Sequence, residues 1–190
     1  MVEATPRTMK IILLTLAILF LSTQSLSAEK NVYAKTQAEA AFKLWTETCL
    51  YHRGNYQTLT LWARANNLHR TDPSLSQEIL QGEKGEVWQP SKRSSNLLLI
   101  LNADDQCAVW ATRADATDIN NRFERSMANM KDQPKLAGDK TVKGQDGEYR
   151  QIAYYVRTKS SPHGWAFIAT TSDSDNAAIH VRLTVSPAGK

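Results

Sequence analysis

The chain has 190 residues, of which 42% are apolar, 22% charged and 8% aromatic, with 8 Gly and 6 Pro. That composition excludes collagen, coiled coil and long disordered chains, and a single long apolar run is too few for a polytopic membrane protein. The length suits one domain with a core large enough to fold alone.

The N-terminus has the pattern of a secretory signal. Arg7 and Lys10 form a short positive region, and residues 11–21 are apolar apart from Thr15. Such a run, about eleven residues, fits a signal h-region and is short for a membrane span. Ser22-Thr23-Gln24-Ser25 follows with no basic stop-transfer flank, and cleavage falls after Ser27 or Ala28. The domains expected are therefore a signal peptide over 1–28 and a single domain over 29–190, with no stable membrane span after cleavage. An uncleaved anchor helix is the alternative. Loss of the leader leaves 21 of the 23 basic and 18 of the 19 acidic residues. This weak positive charge has no basic run longer than Lys92-Arg93, and with export it speaks against a nucleic-acid partner.

Cys49 and Cys107 are the two cysteines. In an exported chain they are most simply one structural disulfide, and the C-x-x-C spacing of a redox pair is absent. The histidines at 52, 69, 163 and 180 share no zinc-like spacing with either cysteine, so no metal and no cofactor is expected.

In chain order, Thr36-Gln37-Ala38-Glu39 has capping-box form. Ala38, Ala41, Phe42, Trp45 and Cys49 then recur at helical steps, predicting a helix from 36 to about 51. Arg53-Gly54-Asn55 breaks it. A second helix carries Leu59, Trp62 and Ala63, and Asp72-Pro73 starts a short third one ending before Gly82 and Gly85. Residues 86–88, 97–101 and 107–112 read as strands, the last two joined by the polar turn 102–106. Asp115 or Thr117 caps a long helix with Ile119, Phe123, Met127 and Met130 on one face. Residues 134–147 show no periodicity and read as a long loop, functional or mobile. Strands over 149–157, 165–171 and 177–185 close the chain. The order predicts an α+β fold: an antiparallel sheet of about five to six strands, with two N-terminal helices and one long central helix on one face. A sheet coned around the long helix is the alternative.

The chain has no H-E-x-x-H, G-x-S-x-G, S-x-x-K, P-loop or G-x-G-x-x-G motif. The acidic pairs Asp104-Asp105 and Asp173/Asp175 fall in turns, where Asp bonds nearby backbone. Trp45, Trp62, Trp88 and Trp165 have phases suited to core or rim packing. Strand parity carries the functional clue. Alternate strand residues face opposite sides, so the face turned from the helices gathers Trp110, Tyr155, Arg157, His180 and Arg182. Aromatic and Arg side chains on an open sheet face suit contact with an envelope protein or an anionic or sugar ligand. The same residues also fit an ordinary solvated face. Leu98 and Ile100 share that face and require a cover from a loop, a partner or a ligand.

The helix with Phe42 and Thr48-Cys49-Leu50, the strand Cys107-Ala108-Val109, the helix with Phe123 and the closing Ala169-Thr170-Thr171-Ser172 carry a resemblance. Over most of residues 29–190 the chain resembles a group of small uncharacterised proteobacterial exported proteins and lipoproteins, although no cysteine stands at its cleavage site. The resemblance implies a periplasmic α+β domain with one disulfide, beyond the inner membrane of a Gram-negative bacterium. It implies no activity, cofactor or catalytic residue. The function expected is a non-enzymatic binding or interaction module, inhibitor- or immunity-like, with the open face and the 134–147 segment as its contacts. The alternative is a small hydrolase that brings His180 or His163 beside Ser and Asp only in the fold. A structural subunit of an envelope assembly is a third possibility.

Overall fold

The computed structural model describes residues 29–90, 96–157 and 163–188. The signal reading over 1–28, the Lys92-Arg93 pair and the Ser161-Pro162 part of a predicted turn lie outside these residues.

The first helix, α1, is already helical at residue 29. It runs through 45, continues as the π-helical stretch Thr46–Leu50 and ends at 52. Thr36 therefore is no cap: its hydroxyl donates to the Val32 carbonyl at 2.9 Å, inside the helix. The Thr46 hydroxyl donates to the carbonyls of Phe42 (3.0 Å) and Lys43 (2.8 Å). Hydroxyls that bond back in this way compete with the i→i−4 ladder, and the widened π turn lies beside them. Ala38, Ala41, Trp45 and Cys49 are fully buried along one stripe, as their spacing predicts. Gly54 ends the helix at φ +72°, where a Cβ would stand 2.0 Å from the Asp105 carbonyl oxygen.

Asn55 caps α2 (Tyr56–Ala65) by accepting from the Thr58 N–H, and Leu59 and Ala63 form its buried face. Asp105 accepts the Tyr56 N–H at 3.2 Å. The turn carboxylate is thus structural, but from the 102–106 turn it serves the start of α2 rather than its own loop. The two-residue strand β1 (His69–Arg70) leads into α3 (Pro73–Leu80), capped by Asp72 with Pro in the first turn. Strands β2 (Gly85–Gln89), β3 (Leu97–Asn102) and β4 (Cys107–Ala111) follow. Asp115 caps α4 (Ala116–Ala128), whose buried Ile119, Phe123 and Met127 step by four. Strands β5 (Lys135–Lys143), β6 (Glu148–Val156), β7 (Trp165–Thr171) and β8 (Val181–Pro187) complete the chain.

All eight strands form one antiparallel sheet in the order β1-β2-β3-β4-β8-β7-β6-β5. The α+β class and the antiparallel sheet agree with the sequence reading, but there are eight strands rather than five or six. The two additions are edges. β1 is too short to show a pattern. β5 occupies most of the segment read as a loop: every one of its residues is exposed, so no apolar alternation marks it, and a bulge between Leu136 and Gly138 breaks its register. The Lys135, Lys140 and Lys143 charges and the bulge discourage edge-to-edge pairing. The last strand also starts later than predicted, because 172–180 is a loop closed by the Ser172 N–H to His180 carbonyl bond (2.9 Å).

One sheet face packs on α1, α2 and α4. Trp45, Leu59, Phe123 and Met127 from the helices meet Leu99, Val109, Phe167 and Leu183 from the sheet. The helices do not all share that face. α3 lies on the other one, where Leu80 and Ile79 pack against Val87, Leu98, Ile100 and Ala108. This is the cover that Leu98 and Ile100 required, and it comes from the chain itself. Cys49 and Cys107 are joined in a disulfide with Cα atoms 5.3 Å apart, 58 residues apart in sequence, and both are fully buried. The bond fixes the π turn of α1 to the middle of the sheet. No free cysteine is found among the described residues, and no described helix is long and apolar enough to cross a membrane.

Candidate functional site

Parity puts Leu98, Ile100 and Asn102 of β3, Ala108 and Trp110 of β4, and Arg182 and Thr184 of β8 on the face away from α1, α2 and α4. α3 covers only the β2–β3–β4 part of that face. At the margin of the cover Trp110 pairs directly with Arg182. The Arg182 guanidinium carbon stands over the Trp110 ring, 5.4 Å from its centroid, in cation–π arrangement. Arg182 is exposed as a residue, yet its charged group lies against the indole. This desolvation pulls its pKa below the usual arginine value, and the Glu83 carboxylate partly offsets it. No carboxylate among the described residues forms an ion pair with Arg182. The Trp110 Nε1–H is buried and has no acceptor among those residues either.

Two hollows flank this pair. One, of about 270 Å³, lies under the C-terminal end of α3, with Ile79, Leu80, Glu83, Ile100, Asn102 and Gln106 among its lining. The other, of about 300 Å³, opens toward the β5–β6 turn and is lined by Val142, Tyr149, Gln151, Thr170 and Ile179. Tyr149 donates its hydroxyl to the Asp146 carboxylate at 2.8 Å. Asp146 also accepts the Ala178 N–H at 2.9 Å. Burial, then the neighbouring carboxylate, pushes the Tyr149 phenol up to about 12. The Ala178 N–H, followed by the phenol, holds the Asp146 carboxyl below its ordinary range. These bonds fasten the tip of the β5–β6 hairpin to the 172–180 loop and shape the second hollow.

Beside the first hollow lies a second buried group with no partner among the described residues. Asn102 is 8% exposed. Its Nδ2 donates to Glu83 and to Gln106 Oε1 (3.1 Å), while its Oδ1 has no donor among the described residues. A buried acceptor left so costs about 1–3 kcal/mol until something donates to it.

Of the five residues read as the open face, the structure brings together Trp110 and Arg182. Tyr155 pairs with Ala166 and Lys135, four residues along β6 from Gln151. That is about 13 Å along the strand and two further strands from Arg182 at about 5 Å each. Arg157 follows the end of β6 and is exposed. His180 precedes β8 and faces a separate, broad cleft with Lys30, Tyr33, Arg113, Asp115 and Asp175. Its Nδ1 accepts the Arg113 N–H at 3.1 Å. No serine hydroxyl is hydrogen-bonded to a histidine among the described residues, and no group of three metal-ligating side chains is found among them. Sequence reading missed Tyr149, although it shares the parity of Tyr155. It also missed Asn102, Glu83 and Gln106, which lie at strand ends and in turns where parity gives no signal. Comparison with protein-family models and with curated proteins finds no match.

Proposed function

We propose that this is an exported periplasmic binding protein whose recognition site is the open sheet face around Trp110 and Arg182. The observation that carries the reading is the guanidinium held over the indole between two hollows, with no carboxylate among the described residues paired to it. Trp and Arg side chains dominate the energetics of recognition sites. A guanidinium already fixed by its neighbour loses less freedom on binding. The Cys49–Cys107 disulfide suits an oxidising compartment and so supports the export reading. The partner is an envelope protein presenting an acidic side chain, or an anionic or sugar ligand, and an inhibitor- or immunity-like role is one concrete form. The hydrolase reading has less support, because the His180 Nδ1 is engaged by backbone.

The test is capture from envelope extract on protein lacking residues 1–28, compared with the Trp110→Ala/Arg182→Glu variant. The reading expects a partner held by the first and weakened at least tenfold, about 1.4 kcal/mol, in the second. Equal retention by both, with folding intact, would move recognition off this face.

A further inference from the structure

We propose that the hollow under α3 binds a small zwitterion, with its carboxylate on Arg182 and its ammonium on Glu83. This rests on the open-face reading and names a ligand class for one part of that face. The hollow has a directional lining. Its floor is Ile100 and Ala108, with Ile79 and Leu80 as one apolar wall. At one end stand Trp110 and the Arg182 guanidinium, unpaired among the described residues, whose planar fork of donors matches a carboxylate. At the other end stands the exposed Glu83 carboxylate, also in the lining. It accepts the Asn102 Nδ2 donor, and a carboxylate has acceptor sites left for a second donor. A cationic donor suits that end of the hollow.

Glu83 and Arg182 do not satisfy one another. They feel each other's charge, yet no ion pair joins them among the described residues. The sheet explains the gap. The Trp110–Arg182 row and the Asn102–Gln106 end are separated by the Ile100–Ala108 pair. That is four residues along the strands, about 13 Å between Cα rows, which the long Arg side chain shortens. A ligand must therefore carry its two charges several ångström apart. The volume, about 270 Å³, is room for roughly nine heavy atoms at ~30 Å³ each, the share of a water molecule in the liquid. A dipeptide of small residues and a diamino acid such as lysine both have this size and charge separation; an α-amino acid with an apolar side chain places its charges too close together.

The experiment is isothermal calorimetry on the disulfide-bonded protein. The probes are L-alanyl-L-alanine, L-lysine, N-acetyl-L-alanyl-L-alanine and L-alanyl-L-alaninamide. Saturable binding of one of the first two is expected, with each blocked dipeptide at least tenfold weaker than L-alanyl-L-alanine if the dipeptide is the ligand. Preference for the dipeptide or for lysine decides between the two sources of the same chemistry. Arg182→Gln and Glu83→Gln should each weaken binding at least tenfold, and Ala108→Leu, which fills the floor, should abolish it while circular dichroism stays native. The proposal is overturned if neither zwitterion saturates the protein at millimolar concentration, if blocked and free dipeptides bind alike, or if Glu83→Gln binds like the parent. A partner captured through Trp110 and Arg182 in spite of such a result would leave the open-face reading standing and remove only the zwitterion.

Discussion

Replacing both Cys49 and Cys107 by Ala should destabilise the domain by about 4 kcal/mol. The bond closes a span of 58 residues that contains α2, α3, β2 and β3. In the chain-entropy treatment, a loop of that length removes ~14 cal/mol/K from the unfolded ensemble, about 4 kcal/mol at 25 °C. Alanine keeps both Cβ atoms in fully buried sites and introduces no polar atom, and the loss of two buried sulfurs can only add to the cost. Against a typical domain stability of ~5–15 kcal/mol, this is a large fraction, and the melting temperature should fall by roughly 8–16 °C. Urea unfolding of the disulfide-bonded protein and the double variant measures the difference. The variant should also show a larger m-value, because its unfolded chain is less compact. A loss below ~1 kcal/mol with unchanged m would refute the reasoning that the bond acts by restraining the unfolded chain.

Gly54→Ala should cost about 2–4 kcal/mol, since it combines a left-handed backbone with a Cβ placed 2.0 Å from the Asp105 carbonyl oxygen; thermal denaturation checks it, and a neutral result would mean that the 53–55 loop can retreat. Asp115→Ala removes the acceptor of the Asp118 N–H at the start of α4 and should cost about 1 kcal/mol, read in urea, whereas Asp115→Asn should restore most of it. Tyr149 should titrate late. Its folded value of about 12 lies above the ordinary 10, so the folded state holds the proton longer, and the stability it contributes is complete below pH 10 and fades as pH rises toward 12. Ultraviolet titration against Tyr149→Phe isolates that phenol, and an ordinary value would refute the Tyr149–Asp146 bond. Asp146 has the opposite sign: its lowered value gives stability present above the ordinary carboxyl range and lost as pH falls through the folded value, which Asp146→Asn should flatten.

What was legible in the sequence is what repeats with a period. The α1 stripe of Ala38, Ala41, Trp45 and Cys49, the four-residue steps of α4 and the alternation in β6, β7 and β8 each identify an element and its buried side. The disulfide followed from two cysteines in a chain whose first 28 residues read as an export signal. The capping box at Thr36 misled because a helix continuous from residue 29 needs no start there, and its hydroxyl turned to Val32 instead. β5 escaped because an edge strand exposed on both faces has no alternation to read. The side chosen by α3 escaped as well: a helix of eight residues whose apolar side chains, beside Pro73, are Leu75, Ile79 and Leu80 fits either face. Only the otherwise bare Leu98 and Ile100 indicated that something must lie there. The site was half legible. Trp110 and Arg182 meet because cross-strand register holds them opposite each other, and parity is blind to how far along the sheet Tyr155 stands. His180 escaped parity altogether, because the strand begins one residue after it.

If the Trp110–Arg182 pair is a free recognition site, the indole N–H signals of the five tryptophans report its occupation. Nuclear magnetic resonance of the isotope-labelled protein, with Trp110 assigned through Trp110→Phe, is recorded while the captured partner or the zwitterion is added. The Trp110 signal, whose N–H has no acceptor among the described residues, should move first and saturate, while buried Trp45 and Trp88 stay in place. A ligand that saturates the protein while the Trp110 signal stands still would contradict recognition at that pair.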